Sequence, residues 1–282
     1  MKIDILQRQT QKLLLEDEHR GGGGIDVRVL ADVPKNIKMN CVIDSTLSHS
    51  RLERLSSCLS KLLVPPEYVL VEKMVFGNLT ALYNSAGLLH HFARKAYVHC
   101  PRSTWAAYKK LRSTFSYGDI DGIEVELKGI ELSSNLIHFT SLSDFLCGLS
   151  FDGVSSNCDL EWRPSKRRLN TIECFGSANI VFKSFRLDVV SSKELAQSGE
   201  QTCVVKGYSL GRLKWSYNES SGELRIGDKS HFHVAPFVSE NPQLYEDILN
   251  RTTNLPSIES SILHHKITLK IFRDAGLNEL VT

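Results

Sequence analysis

The chain has 282 residues, with 34 Lys and Arg against 32 Asp and Glu, a net charge of +2 and 41% hydrophobic residues. That length can bury a substantial core, and near-balanced charge leaves only local clustering informative about partners. No apolar run approaches the roughly 18 to 20 residues needed to cross a bilayer, and the polar, acidic start "MKIDILQRQTQKLLLEDEHR" excludes a secretory signal. A soluble chain of the cytoplasm or nucleus is expected, neither secreted nor membrane-spanning.

Seven cysteines (Cys41, Cys58, Cys100, Cys147, Cys158, Cys174, Cys203) are widely spaced and form no C-x-x-C pair. Free thiols in a reducing compartment are expected, with no disulfide framework, metal or cofactor. Asn78, Asn218 and Asn250 fit the glycosylation pattern, an accidental match without a signal peptide.

In chain order, residues 1–20 read as an amphipathic arm with Ile3, Leu6 and Leu13 along one side, and Gly21 to Gly24 as a hinge. The arm suits self-association. Residues 25–118 form a mixed α/β part. "IDVRVLADV" and "IKMNCVIDS" read as strands, and Leu52, Leu55, Leu59 and Leu62 share a helical face that Pro65 and Pro66 end. "YVLVEKMVF" resumes as a strand, and residues 80–95 read as helical. A helix capped by Ser103 and ending at Phe115 places Trp105, Tyr108, Leu111 and Phe115 on one face, with Lys109 and Lys110 pointing away. Residues 119–282 read as β-rich. "IEVELKGIEL", "CDLEW", "LNTIECFG", "NIVFKSFRLDVV", "QTCVVKGYSL", a hairpin at "LKWSYNESSGELRIG" and "HFHVAPFV" are short strands, followed by helical or mixed segments at 241–251 and 255–280. The fold class expected is α+β, a mixed α/β part followed by an antiparallel sandwich or barrel.

No carboxylate occurs between Glu72 and Asp119, a stretch holding Lys73, Arg94, Lys95, Arg102, Lys109, Lys110 and Arg112 with His90, His91 and His99. Phosphates attract such a cluster, and interleaved aromatics can stack on unpaired bases. An anionic membrane would use the same cations. Arg94, Lys95, Arg102, Lys109, Lys110 and Arg112 are the expected anion ligands. "RPSKRR", with Arg163, Lys166, Arg167 and Arg168, resembles a nuclear-import signal.

Pro65, Pro66 and Tyr68 spell P-P-x-Y, which resembles the ligand of WW domains and the budding signals of viral matrix proteins. The competing reading is a helix stop that launches a buried strand. His138-Phe139-Thr140 resembles the H-x-T/S motif of two-histidine phosphoesterases. In that resemblance His231 or His233 would supply the second histidine, although neither is followed two residues later by Ser or Thr. Asp152, Asp159 and Glu161 suggest a magnesium nuclease only weakly, because Arg163 stands where a lysine is needed and cannot act as a base. The function expected is therefore a non-enzymatic structural or accessory protein, viral matrix-like or transport-type, that binds nucleic acid or an anionic surface through the basic segment. The alternative is a phosphodiesterase using His138, Thr140 and His231 or His233.

Overall fold

The computed structural model describes residues 39, 41–45, 48–85, 95–165, 172–196, 199–228, 230–234 and 241–277. The expected arm, the glycine hinge, the strand "IDVRVLADV", Arg94 and Lys166 to Arg168 lie outside these residues.

Three β-branched runs pair in parallel: β1 (Cys41–Asp44), β2 (Tyr68–Glu72) and β3 (Lys95–His99), in the order β1-β2-β3. Parallel strands need crossovers, and α1 (Ser48–Leu59) provides the first by burying Leu55 and Leu59. α2 (Leu79–Ser85) follows β2. Four of the five β2 residues are buried, as expected of a strand covered on both faces. A helical turn at Pro101–Thr104 then leads into α3 (Ala106–Thr114). Trp105, Tyr108 and Leu111 turn inward as the spacing predicted, but Trp105 is the N-cap residue, and the Ser103 hydroxyl donates to Asn254 O at 2.7 Å.

The remaining strands make one open sheet: β4 (Gly122–Lys128), β5 (Ser155–Pro164), β6 (Ile172–Phe182), β7 (Phe185–Ser192), β8 (Thr202–Ser209), β9 (Arg212–Asn218), β10 (Glu223–Ile226) and β11 (Ser230–His233). Their order is β11-β10-β9-β8-β4-β7-β6-β5, antiparallel except for the parallel pair β4–β7. The expected sandwich or barrel is therefore wrong. Helices, not a second sheet, cover the inner face: α4 (Leu136–Cys147) packs near β7, and α6 (Ile258–Asp274) packs near β5 and against α4, after α5 (Asn241–Leu249).

The physical reason is local. An alternating strand has the same pattern whether a sheet or a helix covers it. α4 hid its own identity, because ten of its twelve residues are buried and no polar face marks a helical period. "NIVFKSFRLDVV" also proved to be two strands, the end of β6 and the start of β7, with Phe182 opposite Phe185. One hydrophobic core joins the two sheets, from Val71 and Val98 through Tyr108 and Phe139 to Val125 and Leu187.

Candidate active site

In open α/β sheets, ligands bind beyond the carboxyl ends of the parallel strands. At that edge β1 ends in Asp44, β2 in Glu72 followed by Lys73, and β3 in His99. The backbone around Lys73 is clamped. Arg51, from α1, donates to Glu72 O at 2.7 Å and to Met74 O, while its guanidinium faces Asp44. One residue further, the Val75 amide donates to His265 Nε2 at 2.9 Å. Lys73 is therefore presented by a rigid turn.

Its ammonium donates to Ser134 O at 2.6 Å, just before α4. The same lead-in holds Glu131, whose carboxylate accepts from the hydroxyls of Ser133 and Ser134 and from the Ser134 amide at 3.0 Å. Lys73 keeps partial solvent exposure, yet its ammonium is densely surrounded by protein. Burial pulls its pKa below the ordinary lysine value, against the opposing pull of Glu131 and Glu72. His138 sits in the first turn of α4 at 7% exposure. Burial, with the nearby charges of Lys73, Arg102 and His99, keeps its imidazole neutral, and its Nδ1 has no partner among the described residues.

At the mouth, β2 and β3 place Glu72 directly beside His99, and His99 Nδ1 lies 2.6 Å from Glu72 Oε1. Their side chains are 32% and 26% exposed. Burial alone would raise the Glu72 carboxyl, but the His99 hydrogen bond and the charges of His99, Lys73 and Arg51 hold it below its ordinary value. The cluster Lys73, Glu72, His99 and His138 thus combines a cation, a carboxylate and two imidazoles at one sheet edge.

The expected anion ligands do not share a surface in this way. Arg102 is buried in a two-pronged pair with Glu219 at 2.7 and 2.8 Å, its guanidinium 4.3 Å from the Phe139 ring centre. Lys109 pairs with Asp247 at 3.2 Å, Lys110 lies over Phe232, and Arg112 lies over Tyr117 and donates to Phe115 O. Lys95 is exposed at the opposite, amino end of β3. For Arg102 and Lys109 the carboxylates missing from the local sequence are supplied by distant parts of the chain.

The P-P-x-Y residues are divided: Pro65 is exposed, Pro66 is buried, and Tyr68 is 3% exposed inside the middle strand β2. The helix-stop reading describes them. His138 lies on a helix, not a strand, and the Thr140 hydroxyl donates to Ile137 O within that helix. His231 and His233 lie on the edge strand β11, where His231 pairs with Glu223 at 2.7 Å. No pair of facing H-x-T/S strands is formed among them. Glu161, on β5, pairs with Arg163 and Lys193.

No protein-family model and no curated protein matches the sequence. Solved structures do match its fold. An oxidoreductase from Sinorhizobium meliloti superposes with a TM-score of 0.63 at 11% identity, covering 86% of this chain and 79% of that one. A super-repressor mutant of Gal80p from Saccharomyces cerevisiae gives 0.63 at 10% identity, covering 83% and 77%. UDP-N-acetylglucosamine 3-dehydrogenase GnnA from Acidithiobacillus ferrooxidans gives 0.60 at 12%, covering 82% and 77%. The fold shared with these structures is a Rossmann-type parallel sheet joined to a mostly antiparallel eight-stranded sheet.

That fold overturns the expectation of a viral or RNA-binding accessory protein, and equally that of a two-histidine phosphodiesterase. Because the same fold serves both dehydrogenases and a repressor, the chemistry must be argued from side chains. Among the described residues no helix is long and apolar enough to cross a membrane. Sequence reasoning counted Lys73 as one cation of a basic segment and passed over Glu72 and His99 as a pair. The available signal was "VLVEKM", a carboxylate and an ammonium closing an apolar strand.

Proposed function

We propose that the chain is an oxidoreductase acting on an alcohol or carbonyl substrate, with Lys73 exchanging a proton with the substrate oxygen. The observation that carries this reading is the placement of Lys73: just beyond the carboxyl end of the middle parallel strand, hydrogen-bonded to Ser134 O in the lead-in to the helix that carries His138, with a pKa lowered by burial. A lysine so tuned is a stronger acid than one in water and can protonate an oxygen that gains charge. In reduction the Lys73 ammonium gives a proton to the carbonyl oxygen, and in oxidation the amine takes it back. His138, neutral and unpaired at Nδ1, offers a second hydrogen bond beside it.

Such a reaction needs a hydride carrier, and a nicotinamide dinucleotide is the class that Rossmann-type sheets bind. The described residues fit the reacting end of that group in their chemistry: Lys73 is a proton donor, and His138, within its electrostatic reach, has an Nδ1 with no partner among the described residues. In sequence the links leaving β1 and β3 contain no glycine, and the link leaving β2 contains one, Gly77. The dinucleotide would supply or accept the hydride, and the chain's own groups move the proton.

The test is calorimetric titration with oxidised and reduced nicotinamide dinucleotides. A turnover screen on sugars and nucleotide sugars follows, a class suggested by the dehydrogenase neighbour's name. Lys73→Met should lower turnover by at least about a hundredfold while the circular dichroism stays native. Absence of both dinucleotide binding and turnover would refute the reading.

A further inference from the structure

The Glu72–His99 pair is partly exposed beside Lys73, at the carboxyl edge of the parallel sheet. A carboxylate 2.6 Å from Nδ1 fixes the imidazole with its proton on that nitrogen, leaving Nε2 to accept or give a second one. His99 is more exposed than His138, which lies at the back of the cluster within electrostatic reach of both His99 and Lys73. The charged or titratable groups around it are Glu72 and Lys73 at the end of β2, Arg102 in the following turn, and His138 and Glu131 at the start of α4.

Lys73 needs such a group. After giving its proton to a substrate oxygen it is a neutral amine densely surrounded by protein, and its hydrogen-bond partner, the Ser134 carbonyl, accepts a hydrogen bond but has no proton to give back. We propose that His99, oriented by Glu72, is the proton relay between Lys73 and solvent. In reduction the imidazolium Nε2–H bond breaks and a new N–H bond forms on the Lys73 amine, directly or through one water. Nδ1 keeps its proton against Glu72, and Nε2 is recharged from solvent. Oxidation runs the same transfers backward, and no electron moves in either.

The inference rests on the function proposed above, so its test has two independent readouts. Nitrogen-15 NMR of histidine-labelled protein, with His99→Gln assigning the signal, should show His99 protonated at Nδ1. Glu72→Gln should abolish that single tautomer. In steady-state turnover at low buffer concentration, His99→Ala should be at least about tenfold slower than the parent chain, and added imidazole should restore the rate. Lys73→Met should not respond to imidazole. A neutral His99 protonated at Nε2 instead of Nδ1, or a His99→Ala rate equal to the parent's, overturns the relay while leaving the oxidoreductase reading intact. If the parent chain turns over none of the substrates and binds no dinucleotide, that reading falls and the relay falls with it.

Discussion

Removing the carboxylate of Glu219 should destabilise this protein more than most single substitutions. Glu219 and Arg102 are 117 positions apart in sequence, and their side chains are 6% and 10% exposed. The guanidinium meets the carboxylate through Nε at 2.7 Å and Nη2 at 2.8 Å, and the Tyr108 hydroxyl donates to the same carboxylate at 2.6 Å. Burial alone would lower the Arg102 pKa, but the charge and hydrogen bonds of Glu219 reverse this and raise it. Glu219→Ala leaves a buried cation uncompensated and a buried phenol unpaired. The expected loss is about 3–5 kcal/mol, of which the orphaned hydroxyl accounts for roughly 1. The paired replacement Arg102→Met with Glu219→Leu should recover most of it, because no unpaired charge remains.

Urea unfolding of Glu219→Ala and of the four-protein cycle of parent, Arg102→Met, Glu219→Leu and their double variant measures both numbers. A Glu219→Ala loss under about 1 kcal/mol, or a double variant no better than either single one, would refute the argument that the pair is desolvated and mutually dependent.

The other predictions follow from the same contacts. Arg51→Met should cost about 2–4 kcal/mol by orphaning the carbonyls of Glu72 and Met74, and should raise the KM for substrate only if Lys73 moves with them; calorimetric unfolding and initial rates separate the two. Burial pushes His265 down to about 3, below its unfolded value, so its contribution is complete above roughly pH 6.5 and is lost as the pH falls toward 3, at up to about 1.4 kcal/mol per pH unit. Denaturation midpoints across that range should fall, and a flat profile would contradict the burial of a neutral His265. A Cβ on Gly207 would collide with the Trp215 indole at the β8–β9 irregularity, so Gly207→Ala should cost about 1–3 kcal/mol and shift tryptophan fluorescence. Lys109→Ala, at a half-exposed pair with Asp247, should cost no more than about 1 kcal/mol in the same unfolding assay.

Local pattern alone was enough for the elements that carry their own punctuation. Leu55 and Leu59 repeat at helical spacing before Pro65, and the β9–β10 hairpin alternates around its turn at Asn218 to Gly222, so both were legible. The inward face of Trp105, Tyr108 and Leu111 was legible for the same reason. β3 was not, because five residues following an apparent helix give too little period to read, and α4 was not, because burial on all sides erases amphipathicity.

Sheet type and site lay beyond any local reading. The residues that complete the charge of Arg102 and Lys109 lie more than a hundred positions away, as Glu219 and Asp247, so two cations of a carboxylate-free segment in sequence are neutralised in space. Lys73 became more than a surface cation only when β2 entered the middle of a parallel sheet and brought it to the Ser134 carbonyl and His138. Proximity between strands and helices far apart in the chain creates both the desolvation and the partners that tune a side chain, and that proximity is a property of the tertiary fold.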